Sequence, residues 1–121
     1  MAATPRLFSA SLMLAAGLVS GSAIAAESYD NCTGFIDSLP TILTTQGTWC
    51  LRKNLSTEIV SGYAIAIDAN NVTIDCNDFK IGGLAAGNSS GAIGIYGKNR
   101  HNATVRHCNV RGFHHGVYLH G

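Results

Sequence analysis

The chain has 121 residues, with 8 Lys plus Arg against 7 Asp plus Glu, a formal net charge of +1 and only 12% charged residues. Phosphate binding needs clustered Lys and Arg, and the chain has no such cluster, so no nucleic-acid partner is expected. The length allows one small domain, near the size at which a single core sustains itself.

The first element is a leader. Arg6 supplies a positive start, Leu7 to Val19 is apolar or small, and Ala23-Ile24-Ala25 gives an A-x-A cleavage pattern. A signal peptide over residues 1–26 follows, cleaved after Ala25 or Ala26, with a secreted product, extracellular or periplasmic. The apolar run is shorter than the roughly 18 residues of a span, so no membrane insertion is expected after cleavage. Loss of Arg6 leaves a formal charge near zero.

Residues 27–47 form a second unit. Phe35, Ile36, Leu39, Ile42 and Leu43 lie around Pro40 without clean alternation. Such a segment reads as the atypical cap that stacked repeats need at an end.

Residues 48–121 are strand-like. Ile65-Ala66-Ile67, Val72-Thr73-Ile74, Ile93-Gly94-Ile95, Ala103-Thr104-Val105 and Val117-Tyr118-Leu119 are short alternating runs bounded by Gly, Asn or Asp. Alternation assigns Ile65, Ile67, Val72, Ile74, Ile93, Ile95, Val105, Val117 and Leu119 to the interior. It assigns Thr73, Asp75, Thr104 and Arg106 to the outside. Asn71-Val72-Thr73-Ile74-Asp75-Cys76-Asn77 is echoed 31 positions later by Asn102-Ala103-Thr104-Val105-Arg106-His107-Cys108-Asn109. Stacked parallel turns would set Ile74 over Val105, Thr73 over Thr104 and Asn71 over Asn102, about 4.8 Å apart. Matching the Ile-x-Ile runs sets Ile65 and Ile67 under Ile93 and Ile95, and these under Val117 and Leu119.

The stretch from Gly62 to Gly83, with Asn102 to Phe113, resembles the opening coils of the secreted right-handed parallel β-helix family, which belongs with the pectin-lyase-like proteins. The resemblance runs from about Thr48 to Gly121. It implies an all-β solenoid, a cap plus about two to three coils, and a truncated chain forming the front piece of a longer protein. A β-sandwich is the structural rival, although it gives no reason for a turn Asn to repeat together with two interior apolar positions. Lyases of the family hold Ca²⁺ with several carboxylates beside a basic proton acceptor. Asp68, Asp75 and Asp78 do not form such a set, so Ca²⁺ is expected only in a full-length enzyme.

Cys32, Cys50, Cys76 and Cys108 have no C-x-x-C spacing, which ranks zinc below two disulfides with three possible connectivities. On the coiled reading, Cys32 in the cap pairs with Cys50 at the first strand. Cys76 and Cys108 occupy neighbouring turns, where the extra residue His107 turns Cys108 toward Cys76.

Asp75 beside Arg106 reads as a cross-strand ion pair rather than chemistry. The column Asp68, Tyr96, His120, with Tyr118 alongside, forms a candidate sugar face of rings and polar groups. His101, His107, His114, His115 and His120 read as surface polar groups rather than metal ligands, and neighbouring His114 and His115 point oppositely on a strand. Five N-x-[ST] triplets begin at Asn31, Asn54, Asn71, Asn88 and Asn102. They are glycosylation acceptors or, at Asn71 and Asn102, a stacked turn column. No catalytic, cofactor or metal residue is assigned. The expected role is a scaffold that binds an extracellular polysaccharide. The alternatives are a polysaccharide lyase or hydrolase whose site lies in coils beyond Gly121, and a surface passenger or adhesin.

Overall fold

The computed structural model describes residues 29–121, so the leader read from residues 1–26 lies outside the described residues. The strands are β1 (Gly34–Phe35), β2 (Thr41–Leu43), β3 (Gly47–Cys50), β4 (Leu55–Ser56), β5 (Tyr63–Ile67) and β6 (Val72–Asp75). They continue as β7 (Lys80–Gly82), β8 (Ile93–Lys98), β9 (Ala103–Arg106), β10 (Asn109–Arg111) and β11 (His115–His120). A single 3-10 turn, Leu84–Ala86, interrupts them among the described residues.

Three sheets result, in the orders β1-β3-β6-β9, β4-β7-β10 and β2-β5-β8-β11. From β3 onward the chain visits them in one repeating cycle, and each strand pairs with its counterpart one cycle later. Every pairing among the described residues is parallel. A β-sandwich is built from antiparallel pairs, so the fold is all-β but not of that kind.

The repeated motif sets the first sheet. Thr73 lies opposite Thr104, Ile74 opposite Val105 and Asp75 opposite Arg106. Asn71 and Asn102, each just before its strand, have φ of 59° and 60°, backbone that Asn tolerates better than most residues. Their amides bond along the stack, Asn102 Nδ2 donating to Asn71 Oδ1 at 2.7 Å.

The third sheet departs from the expected register. Ile65 pairs with Ile95, and Ala66 with Tyr96, rather than Ile65 with Ile93. Ile95 pairs in turn with Val117, and Tyr96 with Tyr118. The like-looking Ile-x-Ile runs are therefore offset by two residues, which preserves which side each residue faces while changing its neighbours. Gly97 stands where an inward Ile was expected. A Cβ there would meet Leu119 Cδ2 at 3.1 Å and Ile67 Cβ at 3.5 Å, so that interior space is already filled. Alternation also breaks at Ala64 and Ile65, which are both fully buried. The break leaves Tyr63 on the outside.

From Tyr29 to Gly47 the chain is more regular than its sequence pattern suggests. Gly34–Phe35 pairs with Trp49–Cys50, and Thr41–Leu43 with Ile65–Ile67. Strands of two and three residues are too short to display a period.

The core consists of apolar columns that include Leu51, Ile65, Val72, Ile74, Ile81 and Ile95, all fully buried. Each such Ile or Leu contributes roughly 1.5–3 kcal/mol of burial free energy. Val105 is only half-buried, and Val117 and Leu119, expected inside, are 45% and 39% exposed. They lie on β9 and β11, the outermost strands of their sheets, over which no other described strand packs. Two disulfides brace the stack. Cys32–Cys50 has a Cα separation of 5.9 Å and Cys76–Cys108 one of 4.8 Å. Pairs of this kind are typical of secreted or extracellular proteins.

Candidate functional site

The outer face of the third sheet carries a cluster of aromatic side chains. Its register aligns Ile42, Ala66, Tyr96 and Tyr118 on β2, β5, β8 and β11. Ala66 is the small member of this row, and it leaves a lane between Ile42, which is 62% exposed, and the ring of Tyr96. Tyr63 lies flat against Tyr96, with ring centroids 4.1 Å apart and planes 4° from parallel. Tyr118 meets Tyr96 edge-on at 6.0 Å and stacks on His120 at 4.7 Å.

Ile42, Tyr63, Ala66 and Tyr96 border a groove of about 900 Å³. Its apolar floor and walls include Pro40, Ile42, Tyr63, Ala66 and Tyr96, and its polar end is made by Asp68, Lys98, Asn99 and Arg100. That volume is within the range of ligand-binding clefts. Arg100 Nη2 donates to Asp68 Oδ1, closing one end with a charge-assisted bond. Tyr96 Oη lies 3.2 Å from His120 Nε2. Desolvation, and then the neighbouring Tyr63 and Tyr118, raise the Tyr96 phenol above its ordinary pKa.

The expected column Asp68, Tyr96, His120 is not a register column. Tyr96 stands opposite Ala66 and Tyr118, and His120 opposite Lys98. Tyr96, Tyr118 and His120 nevertheless touch one another, and Tyr96 shares the groove with Asp68. Sequence reasoning missed Tyr63, Ile42, Lys98 and Arg100. Tyr63 has the same parity as the inward Ile65 and Ile67, so alternation gives no sign that it faces outward. Arg100 reaches Asp68 from a loop, for which strand pattern gives no signal.

A second cluster surrounds Asp75, which was expected to face outward and is in fact 9% exposed. Its carboxylate accepts from Arg106 Nε at 3.0 Å and from the Asn77 backbone N–H at 3.0 Å. His107 Nδ1 lies 3.1 Å away. Burial pushes the carboxyl up, but the Asn77, His107 and Arg106 interactions outweigh it and hold the pKa below its ordinary value. His107 itself has a φ of 56°, the turn that carries the chain to Cys108 and its disulfide. The cluster fastens a turn. It does not border the groove over Ala66.

No group of three or more His, Cys, Asp or Glu is arranged around a metal position among the described residues. No helix there is long and apolar enough to cross a membrane. Of the N-x-[ST] asparagines, Asn71 and Asn102 are engaged in the turn column, and Asn54 Oδ1 accepts from the Lys80 N–H at 2.8 Å. Asn31 and Asn88 are exposed. No family model matches the chain, and no curated protein or solved structure is significantly similar to it.

Proposed function

We propose that this chain forms coils of a secreted right-handed parallel β-helix, resembling the pectin-lyase-like proteins, and that the outer face of its third sheet binds an extracellular polysaccharide. The cyclic order of three parallel sheets supports the coiled reading, because a solenoid repeats in this way and a closed barrel or sandwich does not. The two disulfides support export.

The observation that carries the binding role is the groove over Ala66, with tyrosine rings along one side and the Asp68–Arg100 pair at its end. A pyranose ring presents apolar C–H faces and a polar rim of hydroxyls. Ring faces cover the first, while a carboxylate acceptor beside guanidinium donors reads the second. The scaffold role is to hold the rings on adjacent strands at the spacing of the stack, with the Asp68–Arg100 pair on the loops that follow β5 and β8.

Affinity electrophoresis of the wild-type chain through gels containing neutral and acidic plant and microbial polysaccharides tests this reading. At least one polysaccharide should retard the protein, and Tyr96→Ala should weaken that retardation about tenfold, a change of ~1.4 kcal/mol. Migration unaffected by every polysaccharide would refute the binding role.

A further inference from the structure

A second depression lies beside the aromatic face. It has a volume of about 330 Å³ and is bordered by Leu84, Asn88, Ser90, Phe113 and His114. The segment between β7 and β8, which contains the 3-10 turn, forms one wall, and the turn between β10 and β11 forms the other.

Two glycines permit this close docking. A Cβ on Gly83 would stand 2.6 Å from the Phe113 ring, and one on Gly112, whose φ is 82°, would meet the Leu84 backbone nitrogen. The segment is thus seated against the stack rather than looped away from it. Ser90 is anchored as well, its hydroxyl bonding to the Ile59 carbonyl at 3.3 Å and accepting from the Ala92 N–H at 3.2 Å.

The depression is joined to the large groove by rings. His114 lies 4.5 Å from His115, His115 lies 5.2 Å from Tyr118, and Tyr118 lies 6.0 Å from Tyr96 at the groove wall. His114, His115 and Tyr118 are all exposed. A track of exposed rings between an apolar groove and a polar pocket suits an extended ligand better than a compact one. The pocket offers the Asn88 amide, the His114 imidazole and the remaining lone pair of the anchored Ser90 hydroxyl, groups that hydrogen-bond to hydroxyls without requiring a charge.

Resting on the polysaccharide reading above, we infer that the Asn88–Ser90–His114 pocket is a second subsite for the same linear glycan. The chain of sugars runs from the groove over Ala66, across Tyr96, Tyr118 and His115, into this pocket. Short oligomers fill only the groove, whereas longer ones engage both sites.

Isothermal titration of the wild-type chain with cello-oligosaccharides and oligogalacturonides, each of two and of six units, tests the inference. In whichever series binds, the six-unit oligomer should bind at least tenfold tighter than the two-unit one. His114→Ala and Asn88→Ala should each remove most of that advantage and leave the two-unit affinity unchanged. Tyr96→Ala should weaken both lengths. Equal affinity for the two lengths, or a length advantage that survives His114→Ala and Asn88→Ala, overturns the second subsite while leaving the glycan-binding face standing. Absence of heat with either series at either length, together with unaffected migration in the polysaccharide gels, overturns both.

Discussion

Asp75 and Arg106 stand directly opposite each other on adjacent parallel strands, with Arg106 Nε 3.0 Å from Asp75 Oδ2. The two partners differ in environment, since the Asp75 side chain is 12% exposed and that of Arg106 48%. The guanidinium stays largely hydrated while the carboxylate depends on its neighbours. Loss of Asp75 therefore removes an acceptor serving three groups without leaving a buried, unpaired cation.

Asp75→Asn should destabilise the protein at pH 7 by about 1–3 kcal/mol, the usual cost of disrupting a buried charged hydrogen-bond acceptor. The effect should depend on pH in a defined direction. The folded-state pKa of Asp75 lies below its ordinary value, so its contribution is fully present above about pH 5. It is lost as the pH falls below about 4 and through the folded pKa. Urea melts of both proteins at pH 7, 4 and 2.5 should show the gap narrowing on acidification. A gap of constant size would mean that the carboxylate charge is not what matters.

The turn column gives a prediction that inverts a common rule. In ordinary strand or helix positions Gly is less stable than Ala by roughly 0.5–1 kcal/mol. Asn102 has a φ of 60°, and left-handed backbone costs an Ala roughly 1–2 kcal/mol. Asn102→Gly should therefore be more stable than Asn102→Ala, although both lose the bond to Asn71. Denaturant midpoints of the two variants settle the order, and Ala above Gly would contradict the left-handed turn.

The same column explains what could be read in advance. Asn71 and Asn102 announce their register because a turn that requires a positive φ restricts residue choice, and the restriction repeats with the turn. Ile65 and Ile93 misled because any inward position accepts an Ile, so two similar runs need not be partners. Only Gly97, placed where Ile67 and Leu119 already fill the interior, marks the true alignment. The aromatic face was legible in part. Tyr96, Tyr118 and His120 were identified from the outward parity of their strands, whereas Tyr63 was hidden by the alternation break at Ala64. The Asp68–Arg100 contact depends on how a loop folds back, which local pattern does not encode.

Removing a disulfide should cost the stack heavily. Cys76 and Cys108 are 32 residues apart, and Cys32 and Cys50 are 18 apart. Cross-links closing loops of these sizes limit the unfolded chain by roughly 3–4 kcal/mol each in the chain-entropy view. For a domain of this size that is a large share of the total stability. The double substitution Cys76→Ala with Cys108→Ala should lower the melting midpoint markedly, and a reducing agent should do the same to the wild type. An unchanged midpoint in both experiments would show that the parallel sheets need no covalent brace.

Gly94 and Gly91 offer a matched pair three residues apart. At Gly94 a Cβ would lie 2.5 Å from the Gly116 carbonyl oxygen and 2.6 Å from Val110 Cγ1. The first of these is backbone of the adjacent strand, which cannot turn aside without breaking the β8–β11 ladder. At Gly91 the nearest atom is the Val60 carbonyl oxygen at 3.7 Å, an ordinary contact. Neither glycine has a left-handed φ, so the comparison isolates crowding from backbone strain. Gly94→Ala should cost at least the 1–3 kcal/mol typical of overpacking, and it should also expose the β11 amides to faster hydrogen exchange. Gly91→Ala should be neutral or gain about 0.4–1 kcal/mol by restricting the unfolded chain. Equal melts for the two variants would mean that β11 does not pack on β8 in the register described, and the aromatic row from Ala66 through Tyr96 to Tyr118 would lose its basis.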